Sequence, residues 1–290
     1  MRATQREIQS QPASWRRARD LVPDVASLLP TPGERVAAVG CGTSWFMAQA
    51  YAKLREDGGA GETDAFTATE LPISRRYDRV VVISRSGTTT EVERLIPRLR
   101  PPVTAITAVA DSPVARGAAA SIVLGFADER SVVQTRFATS SLALLRAHLG
   151  QDLGPAIADA ERALTDPLPV EPHTFDHFVF LGRGWTIGLA HESALKVREA
   201  SASYSESYPA MEYRHGPISL AGPRSLVWTL GDLDGDLRAD VRRTGATVLS
   251  SDLDPMAELI RIQRLAVALA EVRGLDPDRP RHLTRSVVLT

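Results

Sequence analysis

The sequence predicts an α/β protein of two tandem subdomains, each a parallel sheet flanked by helices in a Rossmann-like three-layer sandwich. Three observations carry this. Short apolar runs alternate with longer amphipathic stretches, the pattern of βα units. Both halves open with strand, Gly-x-Gly, helix: Val39-Gly40-Cys41-Gly42 and Leu181-Gly182-Arg183-Gly184. The 290 residues are 43% hydrophobic and 24% charged, enough to fill one large or two ordinary cores and too apolar for disorder.

In chain order, residues 1–22 read as an N-terminal helical segment, 23–155 as the first subdomain, 156–275 as the second and 276–290 as a C-terminal tail. Candidate strands of the first half are Arg35–Gly40, Asp64–Ala68, Arg79–Ser84, Val103–Val109 and Ser121–Gly125. Each of the first four is expected to lead into a helix, such as Trp45–Arg55 or Thr90–Arg98, and Thr135–Leu149 follows the fifth. Gly150–Pro169 holds a further helix and a proline-containing link. The second half starts with strand Phe178–Leu181 and a helix across Thr186–Tyr204. Strands Leu226–Leu230 and Thr247–Ser250 and a long helix, Met256–Arg273, complete it. The halves differ in detailed sequence, so the repeat is one of topology. Ligands of such sheets lie beyond the carboxyl ends of the strands.

Composition narrows the function. Thirty-four basic against 35 acidic residues leave a net charge of -1, without the excess that nucleic-acid binding requires. The single cysteine, Cys41, rules out an intrachain disulfide and a thiolate-rich zinc site. No apolar run approaches the roughly 20 residues of a membrane span, and the polar N-terminus, with Glu7, does not read as a secretory signal. The expectation is a soluble, cytoplasmic protein with no nucleic-acid or membrane partner. Only Lys53 and Lys196 are lysines among the 34 basic residues, so a lysine is a residue the arginine bias has not replaced.

Two turns have the chemistry of an anion site. Gly40-Cys41-Gly42-Thr43-Ser44 combines close backbone approach with hydroxyls at a helix start. Trp45 stands where a dinucleotide fingerprint needs its third glycine, which argues against a nicotinamide site. Ser84-Arg85-Ser86-Gly87-Thr88-Thr89-Thr90-Glu91 brings five hydroxyls and an arginine to another helix start. Either turn alone also reads as an ordinary cap; two on neighbouring strands favour an oxyanion.

The order and spacing of these motifs resemble the sugar-isomerase (SIS) domain family, nearest to the isomerase half of glucosamine-6-phosphate synthase and its stand-alone isomerase and deaminase relatives. The resemblance runs from Glu7-Ile8 and Gln11-Pro12 through Cys41–Ser44 and Ser84–Thr89 to Phe180–Gly184, Ala194-Leu195-Lys196 with Glu199, His215-Gly216-Pro217, and Asp278–Arg281 with Ser286-Val287. It implies two SIS subdomains paired in a homodimer, with sugar phosphate on Ser44, Ser84, Ser86 and Thr89 and with Thr43 and Arg85 beside them. Glu199 matches the carboxylate that moves a proton between C1 and C2, and Lys196 matches a lysine of the same site. His215 matches a ring-opening histidine that the neighbouring subunit can supply. The reaction types agree: a carboxylate base shuttles the C–H proton, a histidine exchanges protons near neutrality, and no metal or organic cofactor is required. Lys196 and Glu199, at i and i+3, share one helix face, as does Glu192, so a solvated ion-pair row is the plainer alternative.

No stretch of the 290 residues corresponds to the synthase's glutaminase half, so no internal ammonia source is expected. The tail lysine that forms an imine in the synthase is replaced by Arg285, which cannot lose its proton but can bind a hydroxyl or phosphate and close the site. His282 nearby is a surface tail residue or a substitute in ring opening. Glu129–Arg136 is similar to a segment of stand-alone isomerase–deaminases and deglycases, lining the sugar pocket through Ser131, Gln134 and Thr135 or simply entering a buried helix. The resemblance thus points to an aminosugar-6-phosphate isomerase/deaminase, with two alternatives: a deglycase of a glycated amine 6-phosphate, and a phosphosugar sensor without catalysis. His173 and His177 bracket Asp176 at metal-ligand spacing, but in a link before a strand.

Overall fold

The computed structural model describes residues 1–289. Helices α1 (Ala3–Gln9), α2 (Gln11–Asp20) and α3 (Val22–Val25) precede β1 (Val36–Gly40), α4 (Thr43–Asp57), β2 (Thr63–Thr67) and β3 (Arg79–Ile83). Next come α5 (Thr90–Leu95), β4 (Val103–Thr107), α6 (Pro113–Gly117), β5 (Ala120–Val123) and α7 (Arg136–His148). The second half runs α8 (Gly154–Thr165), β6 (His177–Gly182), α9 (Thr186–Ser201), β7 (Tyr204–Pro209), β8 (Ser225–Leu230), α10 (Gly235–Arg243), β9 (Thr247–Leu249) and α11 (Pro255–Val272).

These elements form two compact units. One holds residues 10–153 and 284–289, the other 1–9 and 154–283. The first contains a five-stranded sheet ordered β2-β1-β3-β4-β5, the second a four-stranded sheet ordered β7-β6-β8-β9, and every pairing in both is parallel. The shared order confirms the topological repeat and the two-sheet α/β class. The runs VAAVG, RVVVI and VTAIT are almost wholly buried, as strands covered on both faces require.

A close approach makes Gly40 and Gly182 obligatory in the two Gly-x-Gly turns. A Cβ on Gly40 would lie 2.5 Å from the backbone carbon of Ser44, and one on Gly182 2.3 Å from the Thr186 carbonyl oxygen. Each strand is thereby pressed against the first turn of its helix.

Three details differ from the sequence expectation. β2 leads into an irregular stretch before β3, not a helix. The helix expected over Thr186–Tyr204 stops at Ser201, where Ala202 turns left-handed (φ 50°) and Ser201 Oγ lies 2.7 Å from Ser203 Oγ. Tyr204 then opens β7, an edge strand whose polar sequence YSESYP concealed it, and α10, also unanticipated, is a short polar helix capped by Asp234.

Candidate functional site

In the first unit, β1 and β3 are neighbours whose following connections diverge to opposite sides, to β2 and to β4. That is the switch point where open α/β sheets bind ligands. Thr43 and Ser44 start α4 beyond β1; Ser84, Arg85 and Ser86 follow β3. All five are buried. Gly87 lets the second turn close: its φ is +64°, and a Cβ there would strike Ser112 Oγ at 2.0 Å.

Cys41, Ser44, Ser84, Arg85, Ser86 and Thr89, with Gln134 and Arg285, line a cavity of about 30 Å³. Ser84 Oγ and Gln134 Oε1 are buried there with no hydrogen-bond partner among the described residues. Burial pushes the Cys41 thiol above its ordinary pKa, and Glu91 adds to the rise, so the cradle holds a neutral thiol.

The Arg85 guanidinium is engaged by the protein itself. Its Nη1 donates to the Ser131 carbonyl (2.9 Å), its Nη2 to the Arg285 carbonyl (2.8 Å), and it faces the Glu129 carboxylate at 3.6 Å. Glu129 in turn accepts from the backbone N–H groups of Thr135 (2.6 Å) and Arg136 (2.8 Å) and from Thr135 Oγ1 (2.7 Å), anchoring the start of α7. Ser131 donates to the Val133 carbonyl at 2.7 Å. Of the three side chains expected from Glu129–Arg136, only Gln134 therefore reaches the cavity; the hydroxyls of Ser131 and Thr135 are spent on the helix entry.

The tail residues 284–289 belong to this unit. The Arg285 guanidinium pairs with Asp128 Oδ1 (2.5 Å) and donates to the Glu129 carbonyl. Thr88 Oγ1 and Ser286 Oγ lie 2.9 Å apart, the Thr90 N–H donates to Val287 O (3.1 Å), and Leu289 N–H donates to Thr90 Oγ1 (2.9 Å). The sequence placed Arg285 near the site without showing these partners, because Asp128 lies 157 positions away.

The second unit holds the proton-transfer candidates. On α9, Lys196 Nζ lies 2.5 Å from Glu199 Oε2 and 3.4 Å from Glu192 Oε1. Lys196 and Glu192 are fully buried, whereas 18% of the Glu199 side chain is exposed. A solvated row is thus the wrong description: two of the three charges lie in the interior and the third reaches the surface beside a cavity. His215 ends a short 3-10 turn (Ala210–His215), is exposed, and forms no hydrogen bond or ion pair with any described residue.

Among the described residues no cluster of His, Cys, Asp and Glu fits a metal ion. His177 begins β6 and faces Ser225 Oγ (2.9 Å) and Glu206 Oε2 (3.3 Å), a structural pairing. No helix among the described residues is long and apolar enough to cross a membrane.

Fold and site together define a doubly repeated parallel α/β protein with a small hydroxyl-lined cavity at the switch point of its first sheet. No family model matches the chain. The isomerizing glutamine–fructose-6-phosphate aminotransferase of Sulfurisphaera tokodaii is 26% identical over 296 residues, covering 88% of this chain and 50% of that protein. The chain spans about half the length of the curated relatives it matches most extensively. A glucosamine-6-phosphate deaminase from Thermotoga maritima superposes with a TM-score of 0.83 at 26% identity, covering 99% of this chain and 100% of that one. A tagatose-6-phosphate ketose/aldose isomerase from Escherichia coli, 20% identical with a TM-score of 0.80, shares the fold across 99% of this chain and 96% of its own. In sequence and in fold the chain is thus similar to isomerizing aminotransferases and to sugar-phosphate isomerases and a deaminase.

Proposed function

We propose that this protein is a phosphosugar aldose–ketose isomerase acting on an aminosugar 6-phosphate, with release of the amine. The observation that carries the reading is the Lys196–Glu199 pair, a partly exposed carboxylate held 2.5 Å from a buried ammonium. A module that only binds a phosphosugar needs the cradle and has no use for this pair. The names of the Thermotoga deaminase and of the aminotransferases support an aminosugar phosphate.

In this reading the cradle hydroxyls, Ser84 foremost, take the phosphate oxygens as acceptors, together with Thr43, Ser44, Ser86 and Thr89. Arg85 and Arg285 position the cradle and its tail. Glu199 removes the proton from C2 of the open-chain 2-amino-2-deoxyaldose and returns it to C1. The C–H electron pair passes through an enolamine, and the nitrogen is left double-bonded to C2. Water adds at C2, the C–N bond breaks and ammonia leaves, giving a ketose 6-phosphate; no oxidant or reductant is consumed. The Lys196 ammonium stabilises the negative charge that develops beside the base. His215 opens the ring, from the second subunit of a homodimer.

The reading is tested by incubating glucosamine 6-phosphate with the protein and measuring ammonia and ketose phosphate. Both form in equal amounts, and Glu199→Gln slows them by about 10²–10⁴-fold. Binding without product in either form overturns the reading in favour of a sensor.

A further inference from the structure

Where β3 and β4 begin, at the end of the first sheet away from the cradle, a cavity of about 770 Å³ opens between two links. One link is the irregular stretch from β2 to β3, residues 71–78, and the other, 99–101, leads from α5 into β4. The size lies inside the small-molecule range of roughly 300–1,000 Å³. All of the lining residues belong to the same unit. The links are tied where they enter their strands, because the Val80 N–H donates to the Pro102 carbonyl at 3.0 Å. Pro72 and Pro101 fix their own φ angles, and the Arg75 N–H closes a turn onto the Pro72 carbonyl at 2.9 Å. The walls are thus set before any ligand arrives.

The lining divides by chemistry. Leu71, Tyr77 and Val80 are buried members of the sheet's apolar core, with Leu99 packed against them. Arg75, Arg76 and Arg100 share the cavity with a single acid, Asp78. Arg75 is engaged by Asp64 at 3.4 Å and lies over the Phe66 ring at 5.7 Å, and the Asp78 carboxylate accepts the Arg35 N–H at 2.7 Å. Other carboxylates at this end of the sheet are also matched, Glu34 by Arg79 at 3.2 Å and Glu62 by Arg35 at 2.9 Å. The guanidiniums of Arg76 and Arg100 have no hydrogen bond or ion pair with any described residue. Two unanswered cations therefore share one cavity with an apolar floor, in a chain whose net charge is only -1.

We infer that this cavity binds an organic phosphate with an apolar body, an aryl or alkyl phosphate monoester. A phosphate dianion offers an anionic oxygen to each free guanidinium, which grips it through paired N–H donors. The floor of Leu71, Val80 and Leu99 gains from covering apolar surface and gains nothing from sugar hydroxyls. The ligand therefore differs from the sugar phosphate of the cradle, and the inference stands independently of the isomerase reading.

The test titrates the full chain with naphthyl phosphate by calorimetry, with inorganic phosphate, naphthol and naphthoate alongside. Naphthyl phosphate is expected to bind at least about tenfold more tightly than each of the others, the worth of one charge-assisted pair. Arg76→Gln/Arg100→Gln, at two exposed positions, removes that advantage with the melting temperature unchanged, and Arg76→Lys/Arg100→Lys keeps part of it. Ser84→Ala leaves the binding as in wild type, because Ser84 lines the cradle. Affinity no better than that of naphthol or inorganic phosphate, or affinity that survives the glutamine pair, overturns the inference. Loss in Ser84→Ala alone assigns the binding to the cradle and overturns it as well. Equal affinity for naphthoate contradicts the phosphate assignment, and saturable binding of an acidic Asp–Leu peptide with none of naphthyl phosphate replaces the small molecule by a protein partner.

Discussion

At Ser84 the proposed role in binding and the role in stability predict opposite effects of one substitution. A buried hydroxyl without a partner costs about 1–3 kcal/mol of desolvation, and Ser84 Oγ is in that condition. Ser84→Ala is therefore expected to leave the melting temperature unchanged or slightly raised, while weakening sugar-phosphate binding about tenfold. Calorimetry and titration on the same variant decide this; lost stability with unchanged affinity contradicts it. His191 gives a pH signature. Its pKa is held below the ordinary 6.5, by burial first and by Arg198 second, and its Nδ1 lies 2.9 Å from Ser207 Oγ. The unfolded chain thus binds the proton more readily than the folded one. The contribution of His191 to stability is complete above about pH 6.5 and shrinks as the pH falls below it. Urea unfolding near pH 8 and about pH 5.5 should show wild type losing more stability on acidification than His191→Gln. His148 is shifted in the same direction by its burial, so the variant flattens the slope without removing it.

At the scale of elements, the tail and the cradle are one assembly. Gln134 and Arg285, the latter from the tail, form part of the cradle wall, so a movement of either changes the room available to a phosphate. The tail's hold is modest by design of its contacts: Arg285 and Asp128 are 37% and 39% exposed in their side chains, and such a pair is worth up to about 1 kcal/mol. Asp128→Asn should accordingly speed hydrogen exchange at the Leu289 amide by up to about fivefold, with α7 amides unaffected. Equal acceleration in α7 would mean that Asp128 supports the helix and not the tail. Most of these elements were legible beforehand, because an apolar run buried on both faces, such as VAAVG or VTAIT, has one reading in an alternating chain. β7 was not, since YSESYP is an edge strand with little apolar content, and its polar side chains are answered by contacts from α9 and β6 that no local pattern reveals. The cradle residues were legible as types in two turns; that Arg85 is bound to Ser131 and Arg285 depended on pairings 46 and 200 positions apart.

For the molecule as a whole, the repeat places two different sets of polar side chains at the ends of two sheets of like topology. The first sheet ends in hydroxyls at its switch point, and the second leads into a helix bearing Glu192, Lys196 and Glu199. His215 stands exposed near Met211 and Leu220, which are 47% and 59% exposed, as a residue offered to a second copy would be. If the homodimer supplies it across the interface, Glu199→Gln and His215→Asn, each inactive alone, complement when unfolded and refolded together. Mixed dimers regain one intact site, for about a quarter of wild-type activity. Failure to complement, with dimers formed, places both residues in one protomer's site.

The central claim is that Glu199 moves a proton between adjacent carbons of a sugar 6-phosphate. The most direct measurement is proton NMR in D₂O on glucosamine, galactosamine and fructose 6-phosphates and a glycated amine 6-phosphate, with wild type and Glu199→Gln. Deuterium entering at C2 of an aldose or C1 of a ketose with wild type alone is the result expected. Binding shifts with no exchange on any of these sugars would contradict the claim and leave a phosphosugar-binding protein.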